Sequence, residues 1–98
     1  MSIDGGPLGM WSDPIQITDP YSDFAALATL PFKSTAEERT GQRFEKFVPV
    51  SYQQRVVDGM EYKVAIDWGM VGKGLSLQIH TNPGVSKIEL RQVHFGGY

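Results

Sequence analysis

Few side chains of this sequence have the chemistry that catalysis or metal binding needs. The two histidines, His80 and His94, stand in predicted strands among polar neighbours, and neither has a nucleophile or a second metal ligand at a recognisable spacing. Cysteine is absent, which excludes a thiol nucleophile, a cysteine-ligated metal site and a disulfide framework. We interpret both histidines as surface residues and expect no enzyme activity, no catalytic residue, no metal site and no cofactor.

Two further motifs are better explained by structure than by chemistry. Glu37 follows Ser34, and Glu38 follows Thr35, at the three-residue spacing of a helix capping box, so neither carboxylate needs an acid–base role. The glycines in the segment 69–74 lack the strand-to-helix setting of a phosphate-binding loop. This segment is predicted to be a hairpin loop.

Length and charge narrow the range of functions. The chain has 98 residues, 41% of them hydrophobic, which fits one folded domain over residues 1–98. Nine basic and eleven acidic residues give a net charge of −2 without a basic run, so nucleic acid is not an expected partner. No signal peptide is recognisable and no apolar run reaches the ~18 residues of a membrane span, so we expect a cytoplasmic protein that binds no membrane.

An arm and a helix are predicted for the first part of the chain. Residues 1–12 are rich in glycine and proline and are expected to form a flexible arm, followed by a short strand. Asp19 before Pro20 is typical of a helix start, and apolar residues then recur at helical spacing over residues 20–40. Because Pro31 lies inside this segment, the sequence predicts one kinked helix or two short ones.

From Phe44 onward the apolar period is two, which is typical of half-buried strands. The residues expected to share one face are Val48, Val50, Tyr52, Gln54 and Val56 in the first long strand, Met60, Tyr62, Val64, Ile66 and Trp68 in the second, and Leu75, Leu77 and Ile79 in the third. In a fourth strand the apolar phase slips between Leu90 and Val93, which predicts a β-bulge. Short glycine-containing turns join these strands, so we predict an antiparallel meander with the helix on one face, an α+β domain.

The meander predicts where its turns lie. The first and third turns, at residues 57–59 and 82–84, fall at the same end of the sheet. A helix that packs back along the first long strand carries the N-terminal arm to that end as well. Three segments then form a thin apolar wedge, which suits plugging a cleft better than enclosing a substrate. The alternative is that the turns only connect strands.

The order of these features resembles a known family. An arm with the glycine pair Gly5 and Gly6, one helix, a long strand that ends in the segment 55–59, and a later turn at Pro83 follow one another along the chain. The chain resembles the stefins, the type 1 cystatins, over nearly its whole length. The resemblance rests on the order of these features, on the length of the chain and on the absence of cysteine. The resemblance implies a cystatin-like α+β fold, in which an antiparallel sheet wraps around a helix, and a reversible inhibitor of papain-like cysteine proteases.

The stefin motif Gln-x-Val-x-Gly falls on the first hairpin. Val57 and Gly59 match it, whereas Arg55 replaces the glutamine; in the second hairpin the family has Leu-Pro and this chain has Asn-Pro. The residues implied to bind the protease are Gly5, Gly6, Arg55, Val56, Val57, Asp58, Gly59, Asn82 and Pro83.

The mechanism that the resemblance implies is steric. The arm lies along the cleft, its glycine pair turns the backbone away from the catalytic cysteine of the enzyme, and the hairpin tips fill the rest. Implied partners are proteases of the cathepsin B, L and H type. Arg55 would contribute its aliphatic stem or favour proteases with an acidic rim.

A function of a different class stays open. The chain is alternatively a cystatin-fold protein-binding module without protease inhibition, or one that associates with itself. Exchange of the first hairpin between two chains would convert the monomer into a domain-swapped dimer.

Overall fold

The computed structural model describes residues 9–70, 72–82, 84 and 87–97. Its elements are β1 (Ile15–Gln16), α1 (Phe24–Thr29), a 3₁₀ turn (Leu30–Phe32), α2 (Lys33–Thr40), β2 (Val48–Val56), β3 (Met60–Asp67), β4 (Lys73–Asn82) and β5 (Lys87–Gly97). The five strands form one antiparallel sheet in the order β1-β2-β3-β4-β5. The α+β class and the meander predicted from the sequence are thereby confirmed.

The helical segment begins later than the sequence predicts. Asp23, not Asp19, is the N-cap of α1, and its Oδ1 accepts hydrogen bonds from the backbone N–H groups of Ala25 and Ala26 at 2.9 and 3.3 Å. Asp19 instead forms a separate turn, in which its carboxylate accepts the N–H of Tyr21 at 3.0 Å. The predicted start at Asp19 is therefore wrong by one turn, because two aspartates offer the same capping chemistry and the second one is used.

Pro31 divides the helix, as predicted. It lies in the 3₁₀ turn between α1 and α2, where a proline without an N–H cannot continue the α-helical ladder. The predicted capping boxes at Ser34 and Thr35 are wrong, because α2 follows the 3₁₀ turn directly and both residues are already inside the helix. Glu37 reaches forward instead, and its Oε2 accepts the N–H of Phe44 at 2.8 Å.

Both helices pack against one face of the sheet. The core comprises Ala25, Ala36, Phe44, Val64, Ile66, Trp68, Leu75 and Leu77. Phe44 is completely buried, and its ring lies 5.5 Å from that of Trp68, which in turn lies 5.1 Å from Phe95. This aromatic cluster joins the loop after α2 to the end of β3 and the end of β5, and it fixes the C-terminal end of the helical segment.

The start of the helical segment lies near the opposite end of the sheet. Phe24 contacts Tyr62 edge-on at 5.9 Å between ring centroids, and Tyr62 contacts Tyr52 in the same way at 5.8 Å. Burial raises the pKa of Tyr62, and the charges of Tyr52 and Asp23 add to this effect. The helix therefore runs antiparallel to β2, with its N-terminus toward the first hairpin.

Two β-bulges set which residues share a face. In β5, Gln92 pairs with Gln78 and Leu90 with Ile79, so Arg91 is the extra residue and the predicted bulge is confirmed. A second bulge, at Val50, was not predicted. It places Val48 on the face opposite Tyr52, so the expectation of one common face along β2 is wrong there. Pro49 beside it has no N–H for the ladder, which favours a bulge at this point.

No helix among the described residues is long and apolar enough to cross a membrane.

The capping role of Asp23 can be tested by mutation. Asp23→Ala removes the acceptor of two helical N–H groups and is expected to lower the free energy of unfolding by about 1 kcal/mol. Asp13→Ala is the control, because Asp13 is exposed and precedes β1. Urea denaturation followed by circular dichroism measures both. Equal losses in the two variants would contradict the assignment of the cap.

Candidate functional site

The first hairpin ends in a tight turn. Val56 pairs with Met60, and between them the N–H of Val57 donates to the carbonyl of Gly59 at 3.2 Å. Asp58 and Gly59 both have positive φ, 46° and 105°. The Asp-Gly pair predicted to make the turn therefore does so, with the two residue types that tolerate this backbone region best.

Gly59 is also required by its neighbour in the sheet. A Cβ at this position would lie far inside van der Waals contact of the backbone carbonyl oxygen of Thr81 in β4. The glycine lets the first hairpin lie directly against the end of β4. Packing within this chain is therefore enough to require a glycine at position 59, independently of any contact with a partner.

His80 fastens the two hairpins together. It is 7% exposed, and its Nε2 lies 3.1 Å from the carbonyl oxygen of Val57 and 2.8 Å from that of Asp58. Because carbonyl oxygens only accept, Nε2 carries the proton and donates. The interpretation of His80 as a surface residue is wrong, since its strand brings it under the first turn. His94 is exposed, as predicted.

The second hairpin starts beside this contact. Thr81 pairs with Met60, and Asn82, at the end of β4, pairs with Lys87. The Oδ1 of Asn82 accepts the N–H of Gly84 at 3.0 Å, so its side chain closes its own turn. Where the stefin motif has an apolar residue, this chain uses a turn-forming one.

The N-terminal arm lies alongside β2 and reaches the same end of the sheet. Ser12 N–H donates to the carbonyl of Gln54 at 2.8 Å, and Gly9 N–H donates to the carbonyl of Val56 at 3.2 Å. The arm is thus carried to the tip of the first hairpin by backbone pairing. We call the group formed by Gly9, residues 56–59 and residues 81–82 the wedge edge.

Not every predicted site residue can be placed. Six of the predicted residues lie at this end of the sheet: Arg55, Val56, Val57, Asp58, Gly59 and Asn82. Gly5, Gly6 and Pro83 lie outside the described residues. The role of all nine residues in binding stays a prediction.

The replacement of glutamine by Arg55 has a structural partner. Arg55 Nε donates to Glu61 Oε1 at 2.7 Å, and the guanidinium lies over the ring of Trp11, 4.3 Å from its centroid. Sequence reasoning did not identify Glu61 and Trp11 as partners of Arg55. The register of the hairpin contains the signal for Glu61, because Arg55 and Glu61 are equidistant from Asp58 and therefore face each other across β2 and β3.

The described residues contain no group of three or more histidine, cysteine, aspartate or glutamate side chains that could hold a metal ion.

A five-stranded antiparallel sheet around a broken helix, with two hairpin tips and an N-terminal arm at one edge, defines a cystatin-like domain. No family model matches the sequence. A curated mouse protein, Stefin-2, is 36% identical over 50 residues, which are 51% of this chain and 46% of the mouse protein. The chain thus matches about half the length of this relative, and the match supports membership of the stefin branch of the cystatins.

The fit of Gly59 against β4 predicts a large effect of a single methyl group. Gly59→Ala is expected to lower the free energy of unfolding by about 2 kcal/mol more than Gly69→Ala. Gly69 is the matched control, since its φ is 97° but a Cβ there would lie an ordinary 3.7 Å from Lys46 Cβ. Urea denaturation of both variants measures the difference, and equal losses would mean that only the backbone angle matters.

Proposed function

We propose that this protein is a reversible inhibitor of papain-like cysteine proteases of the cathepsin B, L and H type, working in the cytoplasm as one stefin-like domain over residues 1–98. The observation that carries the proposal is the wedge edge, where Gly9, the tip at residues 57–59 and Asn82 meet at one end of the sheet. The similarity to mouse Stefin-2 supports the same conclusion.

Apolar surface adjoins the wedge edge and is open to a partner. Val56, Met60, Thr81 and Ile88 form one row across four strands, just behind the tips. Val56 and Ile88 are 37% and 38% exposed. Desolvation of such surface in an enzyme cleft contributes ~25 cal/mol per Å², so an edge of this kind can hold a protease without a covalent bond.

The tip is also pre-formed, which favours tight binding. His80 fixes two carbonyl groups of the turn, and Gly59 lies against β4. A turn that is already ordered loses little conformational entropy when it enters a cleft. Because the tip is a closed hairpin, it presents no extended peptide to the catalytic cysteine of the enzyme, and we expect inhibition to be steric.

The ion pair of Arg55 within the chain indicates which part of its side chain would contact a protease. Its guanidinium is paired with Glu61, whose side chain is only 9% exposed, so much of its positive charge is compensated within the chain. Of the two roles that the sequence left open, we favour the contact through its aliphatic stem over attraction to an acidic rim.

Inhibition kinetics test the proposal directly. Papain and cathepsins B, L and H are titrated with the protein in the presence of a fluorogenic peptide substrate. We expect inhibition at submicromolar concentration and full recovery of protease activity on dilution, because no covalent bond forms. The absence of inhibition of all four enzymes at micromolar concentration would contradict the proposal.

The role of the hairpin tip is tested by placing a charge on it. Val57→Asp is expected to weaken inhibition at least about 10-fold, because the carboxylate must be desolvated in the cleft. Val50→Asp is the matched control, since Val50 is 39% exposed and lies near the other end of β2. Equal inhibition constants for the two variants would show that the tip does not enter the enzyme.

Self-association is a second candidate, and Asp58 favours it. Among the residues that the structure describes, Asp58 is the one non-glycine residue with positive φ, and it lies at the tip that would open. If the first hairpin straightens and pairs with a second chain, Asp58 can adopt an extended backbone. Size-exclusion chromatography at low and high concentration tests this, and a monomer under both conditions would contradict it.

A further inference from the structure

Trp11 lies where the arm crosses the face of the sheet that the helices leave uncovered. Its ring centroid is 4.3 Å from Cζ of Arg55 and 4.7 Å from Nζ of Lys63. Arg55 pairs with Glu61 and Lys63 with Gln53, so both cations project from the same face as diagonal neighbours on β2 and β3. Each of these cations is attracted to the electron-rich face of the indole ring.

Backbone pairing alone fixes this part of the arm poorly. Gly9 donates to the carbonyl of Val56 and Ser12 to that of Gln54. The two donors are three positions apart in the arm, whereas the two acceptors are only two positions apart in β2. The arm therefore contains an extra residue between these two bonds, and Trp11 lies in that stretch. Side chains restrain the Ser12 end of this stretch, because Ser12 Oγ accepts the N–H of Gln54 at 3.0 Å and its carbonyl accepts Gln53 Nε2 at 3.0 Å. The bulged residues that precede Ser12 are left to the contact of Trp11 with the sheet.

The cation that Trp11 contacts is itself held in place. Arg55 Nε donates to Glu61 Oε1 at 2.7 Å, and Nε2 of Gln78 approaches the same oxygen at 3.4 Å. The Glu61 side chain is almost fully buried, which limits the positions open to the guanidinium. Trp11 thus lies on a platform that the sheet builds from β2, β3 and β4.

We propose that Trp11 is a positioning residue that docks the arm on the sheet in the free protein and so directs it toward the wedge edge. Its consequence for inhibition rests on the proposed function. Docking beforehand would remove the entropy cost of ordering the arm when a protease binds. Trp11 itself need not contact the enzyme.

Amide hydrogen exchange of the free protein tests the docking. Trp11→Leu keeps an apolar side chain but removes the aromatic face, and we expect the amides of Gly9 and Ser12 to exchange about 3- to 10-fold faster. Trp11→Phe retains an aromatic ring, and we expect its amide exchange rates to stay closer to those of the unaltered protein. Met10→Ala is the control, because Met10 is the neighbouring residue and is 59% exposed. Unchanged exchange in Trp11→Leu would overturn the proposal.

A double-mutant cycle tests whether Arg55 is the platform. Arg55→Gln is made together with Glu61→Gln, so that no buried carboxylate loses its cation. If Trp11 acts through Arg55, adding Trp11→Leu to this pair accelerates the exchange of Gly9 by much less than it does alone. If Trp11→Leu accelerates the exchange of Gly9 as strongly in this pair as it does alone, the assignment of Arg55 as the platform is overturned.

Inhibition of papain by Trp11→Leu separates this proposal from the proposed function. We expect Trp11→Leu to weaken inhibition about 3- to 10-fold, and the control Asp13→Ala, at an exposed position beyond the arm, to leave it unchanged. Faster exchange with an unchanged inhibition constant would overturn the link between docking and binding. If the unaltered chain inhibits no protease, the proposed function fails, while the exchange measurements still decide whether Trp11 docks the arm.

Discussion

The hydrogen bonds from the His80 ring to two carbonyl groups of the first turn are the contact around which the wedge edge is organised. They tie the tip at residues 57–59 to β4, and Gly59 permits the approach because it has no Cβ to meet the carbonyl of Thr81. The second hairpin follows directly from Asn82. This contact holds the first tip directly against the end of β4, where the second hairpin begins.

Much of this fold could be predicted from the sequence, because its strongest signals are local. Alternation with period two marked the long strands, the phase slip near Leu90 marked a bulge, and Pro31 marked the break in the helix. The errors arose where two residues offered the same local chemistry or where tertiary structure decided. Asp19 and Asp23 both suit a helix cap, and no pattern in the sequence shows that His80 is buried under a turn.

The two departures from the stefin motif have explanations within the chain. Arg55 has Glu61 opposite it and Trp11 over it, so the hairpin and the arm share one cross-strand pair and one aromatic contact. Asn82 closes its own turn by accepting the N–H of Gly84. The resemblance to the stefin motif marks both positions as replacements, but it does not show that each has an intramolecular partner. The role of these positions toward an enzyme therefore has to be measured with those partners in place.

The two outer edges of the sheet differ in a way that affects solubility. Among the described residues, the edge beyond β2 consists of the two-residue β1 and the irregular arm from Gly9 onward, which is a short and interrupted edge for a second molecule to pair with. β5 is a long outer strand, but Arg91 bulges from it and Lys87 and Glu89 add charge. Bulges and charges on outer strands oppose edge-to-edge growth into larger sheets. The same irregularities that shape the arm and β5 thus protect a small sheet protein against aggregation in concentrated solution.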